Sequence, residues 1–84
     1  MVFNQKICVV GLGYVGLPVA LAFSSRFDGT VGFDINAAKI EDLRKGLDRT
    51  GEVAARELLM SRLTFTNNID DVKNCTFFVI AVPT

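Results

Sequence analysis

Three glycines and one carboxylate carry the chemistry legible in this sequence. Gly11, Gly13 and Gly16 stand in the spacing G-x-G-x-x-G, as Gly11-Leu12-Gly13-Tyr14-Val15-Gly16, and Asp34 follows 18 residues past Gly16. A helix that starts at such a turn offers unpaired N–H groups and the positive end of its dipole to a diphosphate. An acid near this spacing, at the end of the next strand, is where a dinucleotide fold grips a ribose diol. Gly11 permits the tight turn out of the strand, Gly13 leaves the backbone bare for a pyrophosphate, and Gly16 lets the helix pack close to the sheet. The N–H groups of Tyr14 and Val15 are the expected phosphate donors. Asp34 is expected to accept hydrogen bonds from the adenosine ribose. Its charge repels a 2′-phosphate, so the cofactor expected is NAD rather than NADP.

Each of these residues has a plainer reading beside the chemical one. The glycines alone would serve as turn and packing residues, and Asp34 as an ordinary turn acid. Lys39 falls on the first turn of the second expected helix, where a cation opposes the dipole; it either reaches the adenosine ribose or is a solvated surface lysine. Tyr14 either lies beside the cofactor or is a core or surface aromatic. Val82, Pro83 and Thr84 stand at the carboxyl end of the last apolar run, the edge beyond which open α/β sheets bind ligands. The Thr84 hydroxyl either faces the nicotinamide half or serves a turn or a helix cap.

The elements that must position these groups alternate along the chain. Lys6–Val10 (KICVV) reads as a buried strand and Gly11–Gly13 as a turn. A helix from Tyr14 to about Phe27 follows, with Val15, Val19, Ala22 and Phe23 on one face. Pro18 falls near the end of its first turn, where a missing N–H matters least. Asp28 and Gly29 make a turn into a second strand, Thr30–Asp34. Asn36 caps a helix over Ala37–Lys45, with Ile40, Leu43 and Leu47 at apolar spacing, Glu41 and Lys45 as an i, i+4 pair, and Gly46 at its end. Thr50 is the expected cap of a third helix, Glu52–Ser61, to which Val53, Ala54, Leu58 and Leu59 give the apolar side. Leu63–Thr66 is a short edge strand and Asn68–Lys73 one or two helical turns. Thr76–Val82 is an uninterrupted apolar strand of the kind covered on both faces, ended by Pro83.

Four strands joined by helical crossovers predict an α/β, Rossmann-type, three-layer αβα fold. Its sheet is parallel with strand order 3-2-1-4, the first half of a doubly wound domain. Residues 1–84 are expected to be the N-terminal part of a dinucleotide-binding domain, with substrate and C-terminal domains outside this chain.

Composition excludes several other classes. Half of the 84 residues are hydrophobic and 21% are charged, enough for one small folded domain rather than a disordered chain. Nine basic residues balance nine acidic ones without forming a stripe, which argues against nucleic acid or an anionic membrane as partner. The apolar stretch from Ile7 to Phe23 is broken by Gly11, Gly13, Gly16 and Pro18, so it reads as strand, turn and helix rather than as an export or membrane segment. Cys8 and Cys75 then read as reduced, buried thiols, and a cytoplasmic location is expected. With no His in the chain, neither a Cys–His nucleophile nor a Cys/His zinc site can be assembled. No catalytic residue and no metal ligand are expected in these residues.

The string GLGYVGLPVALAF at Gly11–Phe23 resembles the opening of the UDP-glucose/GDP-mannose dehydrogenase family. So do GFDIN at Gly32–Asn36, the following Lys39, Ile40, Leu43 and Gly46, and AVPT at Ala81–Thr84. The segment Asp48-Arg49-Thr50-Gly51-Glu52, with Leu58 and Leu63–Thr66, is most similar to the branch that oxidises UDP-N-acetylhexosamines for bacterial polysaccharides. The resemblance spans essentially the whole chain. It implies oxidation of a sugar C6 alcohol to a carboxylate with two NAD+ reduced, by a full-length homo-oligomer. It also implies pyrophosphate on the glycine turn, adenosine ribose at Asp34 and Lys39, and Thr84 near the nicotinamide ribose. The family's catalytic cysteine lies in later sequence and matches neither Cys8 nor Cys75, so these residues alone should not catalyse the reaction or bind UDP-sugar. Two other functions share the glycine turn: the cofactor domain of another hydroxyacid or 3-hydroxyacyl dehydrogenase, and a non-enzymatic nucleotide-sensing domain.

Overall fold

Short apolar runs rich in β-branched residues form the strands, and the segments between them cross over as helices. The computed structural model describes residues 5–81. In chain order these are β1 (Ile7–Val10), α1 (Gly16–Ser24), β2 (Val31–Phe33), α2 (Ala37–Arg44), α3 (Ala55–Met60), β3 (Thr64–Thr66), a 3-10 helix (Ile69–Val72) and β4 (Phe77–Ile80). The strands form one sheet of order β3-β2-β1-β4. All three pairings are parallel, with Cys8 beside Val31 and Phe78, and Gly32 beside Phe65. The predicted α/β fold and strand order are both present.

Strand alternation divides the core between the two faces of the sheet. Ile7 and Val9 point to the face covered by α1, α2 and α3, where they join Leu12, Leu17, Ala20, Ile40, Leu43, Leu58 and Phe65. Cys8, Val31 and Phe33 point to the other face, against Val72 and Cys75 around the 3-10 helix. Burial pushes the Cys8 thiol up to about 11, and the neighbouring Cys75 adds to the shift. Both cysteines are free and buried.

Four expectations about individual elements need correction. The first helix begins at Gly16 and ends at Ser24, not at Tyr14 and Phe27. Tyr14 and Val15 belong to the turn, and the Ser24 and Ser25 hydroxyls donate to the Leu21 and Ala22 carbonyls at its end. Its buried stripe is Gly16, Leu17, Ala20 and Ser24. Val15 and Ala22 are exposed, while Val19 and Phe23 pack only at the margin of the core. Gly16, Ala20 and Ser24 let the helix approach the sheet closely, and Leu17 fills the core between them.

The third helix is six residues long and starts after Ala54, with no side-chain cap. Thr50 is diverted into a turn built on Asp48, which accepts from the Thr50 hydroxyl and from the N–H groups of Thr50, Glu52 and Val53. A side chain that satisfies this many local amides outcompetes the first helical turn for them. Val53 and Leu58 are buried as predicted, whereas Ala54 and Leu59 are exposed. Leu47, expected to continue the apolar spacing of the second helix, lies past its end at Arg44 and is exposed, although Ile40 and Leu43 are buried. Finally, β4 is not covered on both faces: Phe77, Phe78 and Ile80 are 52%, 49% and 63% exposed.

Candidate functional site

The glycine turn sits at the carboxyl end of β1, between the ends of β2 and β4. Gly11 takes φ +95°, a conformation that favours glycine, and its N–H donates to the Phe33 carbonyl at 2.8 Å. Gly16 has no room for a side chain: a Cβ there would lie 1.6 Å from the Gly11 carbonyl oxygen and 3.2 Å from the Ala81 side chain. The helix start is thus seated directly on the turn. Gly13 is the opposite case, since a Cβ there would meet nothing within 4 Å. The space above Gly13 is open for a ligand to touch the backbone.

The helix α1 starts without a cap. Its N-cap position is Val15, which has no side-chain acceptor, and no acidic residue stands in the first turn. Among the described residues, no acceptor meets the N–H groups of Gly13, Tyr14 and Val15. Three unpaired amides, a bare Cβ position and a positive helix end together fit the diphosphate of a dinucleotide.

Asp34 lies across the groove from this turn. Its Oδ2 accepts from the Leu12 N–H at 3.0 Å and its Oδ1 from the Asn36 N–H at 2.9 Å. The groove it borders has a volume of about 320 Å³ and brings Gly11, Gly13, Asp34 and Lys39 together, with Ile35, Val10 and Ala81 as apolar walls. Lys39 reaches the rim from the first turn of α2, whose start is capped by the Asn36 side chain accepting from the Lys39 N–H at 3.1 Å. Tyr14 is 67% exposed and Val15 66%, so neither is a core residue; both stand at the helix start. Val82, Pro83 and Thr84 lie outside the described residues.

A second hollow of about 310 Å³, which shares Leu12 and Lys39 with the groove, lies between Tyr14, α2 and the Asp48–Thr50 turn. Two of its charged groups pair with each other and a third is held by main-chain amides. Arg49 Nε donates to Asp42 at 2.7 Å, and Asp48 is held by the turn amides. Burial alone would raise the Asp48 carboxyl; the hydrogen bonds from Thr50, Val53 and Glu52 outweigh it and hold the group below the usual range.

Sequence reasoning missed two features of the groove. One is the Leu12 amide, tied to Asp34. The other is Ile35, 85% exposed beside Asp34 at the groove wall. An isoleucine flanked by two turn-forming polar residues was the available signal for the second.

A parallel sheet of order 3-2-1-4 with an uncapped helix start at its carboxyl edge defines a dinucleotide-binding α/β domain. Residues 5–84 match the UDP-glucose/GDP-mannose dehydrogenase family, NAD binding domain. The chain belongs to this family, and NAD is the cofactor its domain type binds. It is 51% identical over 82 residues to the UDP-N-acetyl-D-glucosamine 6-dehydrogenase of Pseudomonas aeruginosa, covering 96% of this chain and 19% of that protein. It is 47% identical over 81 residues to protein CapL of Staphylococcus aureus, again covering 96% and 19%. The solved structure of the UDP-D-ManNAc dehydrogenase of Pyrococcus horikoshii superposes with a TM-score of 0.81 at 34% identity, covering 93% of this chain and 20% of that one. The chain therefore spans about a fifth of the length of these relatives. Among the described residues, no helix is long and apolar enough to cross a membrane.

Proposed function

We propose that this chain is the N-terminal, NAD-holding part of a nucleotide-sugar 6-dehydrogenase. The whole enzyme would oxidise the C6 alcohol of a UDP-N-acetylhexosamine to a carboxylate, reducing two NAD+. The observation that carries the cofactor reading is the uncapped start of α1, with bare space above Gly13 and a carboxylate, Asp34, across the groove. In this reading the N–H groups of Gly13, Tyr14 and Val15 hold the pyrophosphate, and Gly11 and Gly16 shape the turn. Asp34 and Lys39 hold the adenosine ribose, and Val82, Pro83 and Thr84 border the nicotinamide half. The bound cofactor supplies the hydride acceptor; these residues bind and orient it. The names of the relatives, which include dehydrogenases of UDP-N-acetyl-D-glucosamine and UDP-N-acetyl-D-mannosamine, support the substrate class. A cytoplasmic homo-oligomer serving bacterial polysaccharide biosynthesis completes the proposal. Substrate and catalytic groups would come from sequence beyond residue 84.

Calorimetry of the chain with NAD, NADP and UDP-N-acetylglucosamine tests this. NAD should bind weakly, NADP more weakly still, and the UDP-sugar not at all. Asp34→Ala should weaken NAD more than NADP, because the variant removes both the diol acceptor and the repulsion of a 2′-phosphate. Preference for NADP in the unaltered chain would overturn the reading.

A further inference from the structure

The Asp34 carboxylate is engaged by the chain's own amides. Its Oδ2 holds the amide of Leu12, the residue between the first two glycines, and Oδ1 holds the amide of Asn36. The preceding residue, Phe33, holds the amide of Gly11 through its carbonyl. The end of β2 thus grips two successive amides of the turn, one by backbone and one by side chain. Leu12 itself is 1% exposed, and an amide left unpaired in such a place is costly. From the other side, the turn is pressed by α1 through the Gly16 seat.

We infer that Asp34 is a positioning residue for the phosphate turn: its carboxylate fixes the glycine turn in its ligand-ready shape, in addition to receiving a ribose diol. A carboxylate has about four lone-pair sites. Two point to the Leu12 and Asn36 amides, which leaves two for the diol, so the roles are compatible. The inference rests on the proposed function only for the identity of the ligand. Its distinctive consequence is that diphosphate affinity depends on a residue at the ribose end.

The test compares Asp34→Asn with Asp34→Ala in the full 84-residue chain. The two variants carry the same charge and differ in whether an acceptor remains for Leu12. Amide hydrogen exchange is measured first, without ligand. In Asp34→Ala the Leu12 amide should exchange at least about tenfold faster than in the unaltered chain, the scale of one hydrogen bond to a charged acceptor. Asp34→Asn should fall between, while the β1 amides stay protected in all three. An unchanged Leu12 rate in Asp34→Ala overturns the inference. Should Asp34→Ala lose protection everywhere, Asp34→Asn against the unaltered chain decides the same point.

Calorimetry then uses NAD and its analogue lacking both hydroxyls of the adenosine ribose. Asp34→Asn should bind the analogue more tightly than Asp34→Ala. Equal affinities of the two variants for the analogue would confine Asp34 to the ribose and overturn the positioning role. If the unaltered chain binds neither compound, the proposed function fails, and the exchange rates alone decide whether Asp34 holds the turn.

Discussion

The glycines of one short motif make opposite demands on the structure. Gly16 is irreplaceable for packing, since a Cβ would collide with the Gly11 carbonyl. Gly16→Ala should destabilise the fold by at least about 3 kcal/mol in urea denaturation, because backbone rather than a flexible side chain must move. Gly13→Ala should change stability by less than about 0.5 kcal/mol, as its Cβ meets nothing, yet weaken NAD binding at least tenfold in calorimetry. Equal loss of stability in both variants would contradict this division.

Cys8 gives a second prediction at this scale. Its pKa stands at about 11 in the fold, above its ordinary 9.0. The folded state therefore keeps the thiol proton where the unfolded chain releases it. Stability from this source is full below pH 9 and declines as pH rises from about 9 toward 11. Urea midpoints over that window should fall more steeply than in Cys8→Ala; parallel curves would argue against the burial effect. Residue types and spacing announced the glycines, Asp34 and Asn36. They did not announce the Leu12 amide, because a main-chain donor leaves no trace in residue identity.

Among the elements, the Asp48 turn decides where α3 can begin. Asp48→Ala would leave the Thr50, Glu52 and Val53 amides without their shared acceptor. A loss of about 1–2 kcal/mol is expected, similar to removal of a helix cap. The Asp48 carboxyl is held below its usual range, so its contribution is present above the unfolded value and disappears as pH falls through the folded one. The stability difference between the unaltered chain and Asp48→Ala should therefore shrink on acidification, as read by denaturation from pH 7 downward. Strand positions, the Asn36 cap and the sheet order were legible because local pattern and tertiary packing agree there. The ends of α1 and α3 were not. At α1 the glycine turn kept Tyr14 and Val15 out of the helix, and a stripe of Gly16, Leu17, Ala20 and Ser24 faced the core in place of Val15, Val19, Ala22 and Phe23. At α3 Thr50 served Asp48 instead of a helix.

At the level of the molecule, the two margins of the sheet differ. Beyond β3, the outward-facing Phe65 carbonyl accepts two bonds from the Arg44 guanidinium, at 2.7 and 3.2 Å. At the other margin β4 carries the exposed Phe77, Phe78 and Ile80. Such a strand invites pairing with another chain. Sedimentation of the 84-residue chain should show concentration-dependent association that Phe78→Lys suppresses; association unaffected by that change would place the contact elsewhere.

The α2 arginine that caps the outer edge of β3 sets how far such growth can run. Two copies joined along their β4 strands would form an eight-stranded ribbon with a guarded border on either side. Each border presents a guanidinium where a third copy would need a bare carbonyl. Assembly through this route would stop at two copies rather than run on into fibrils.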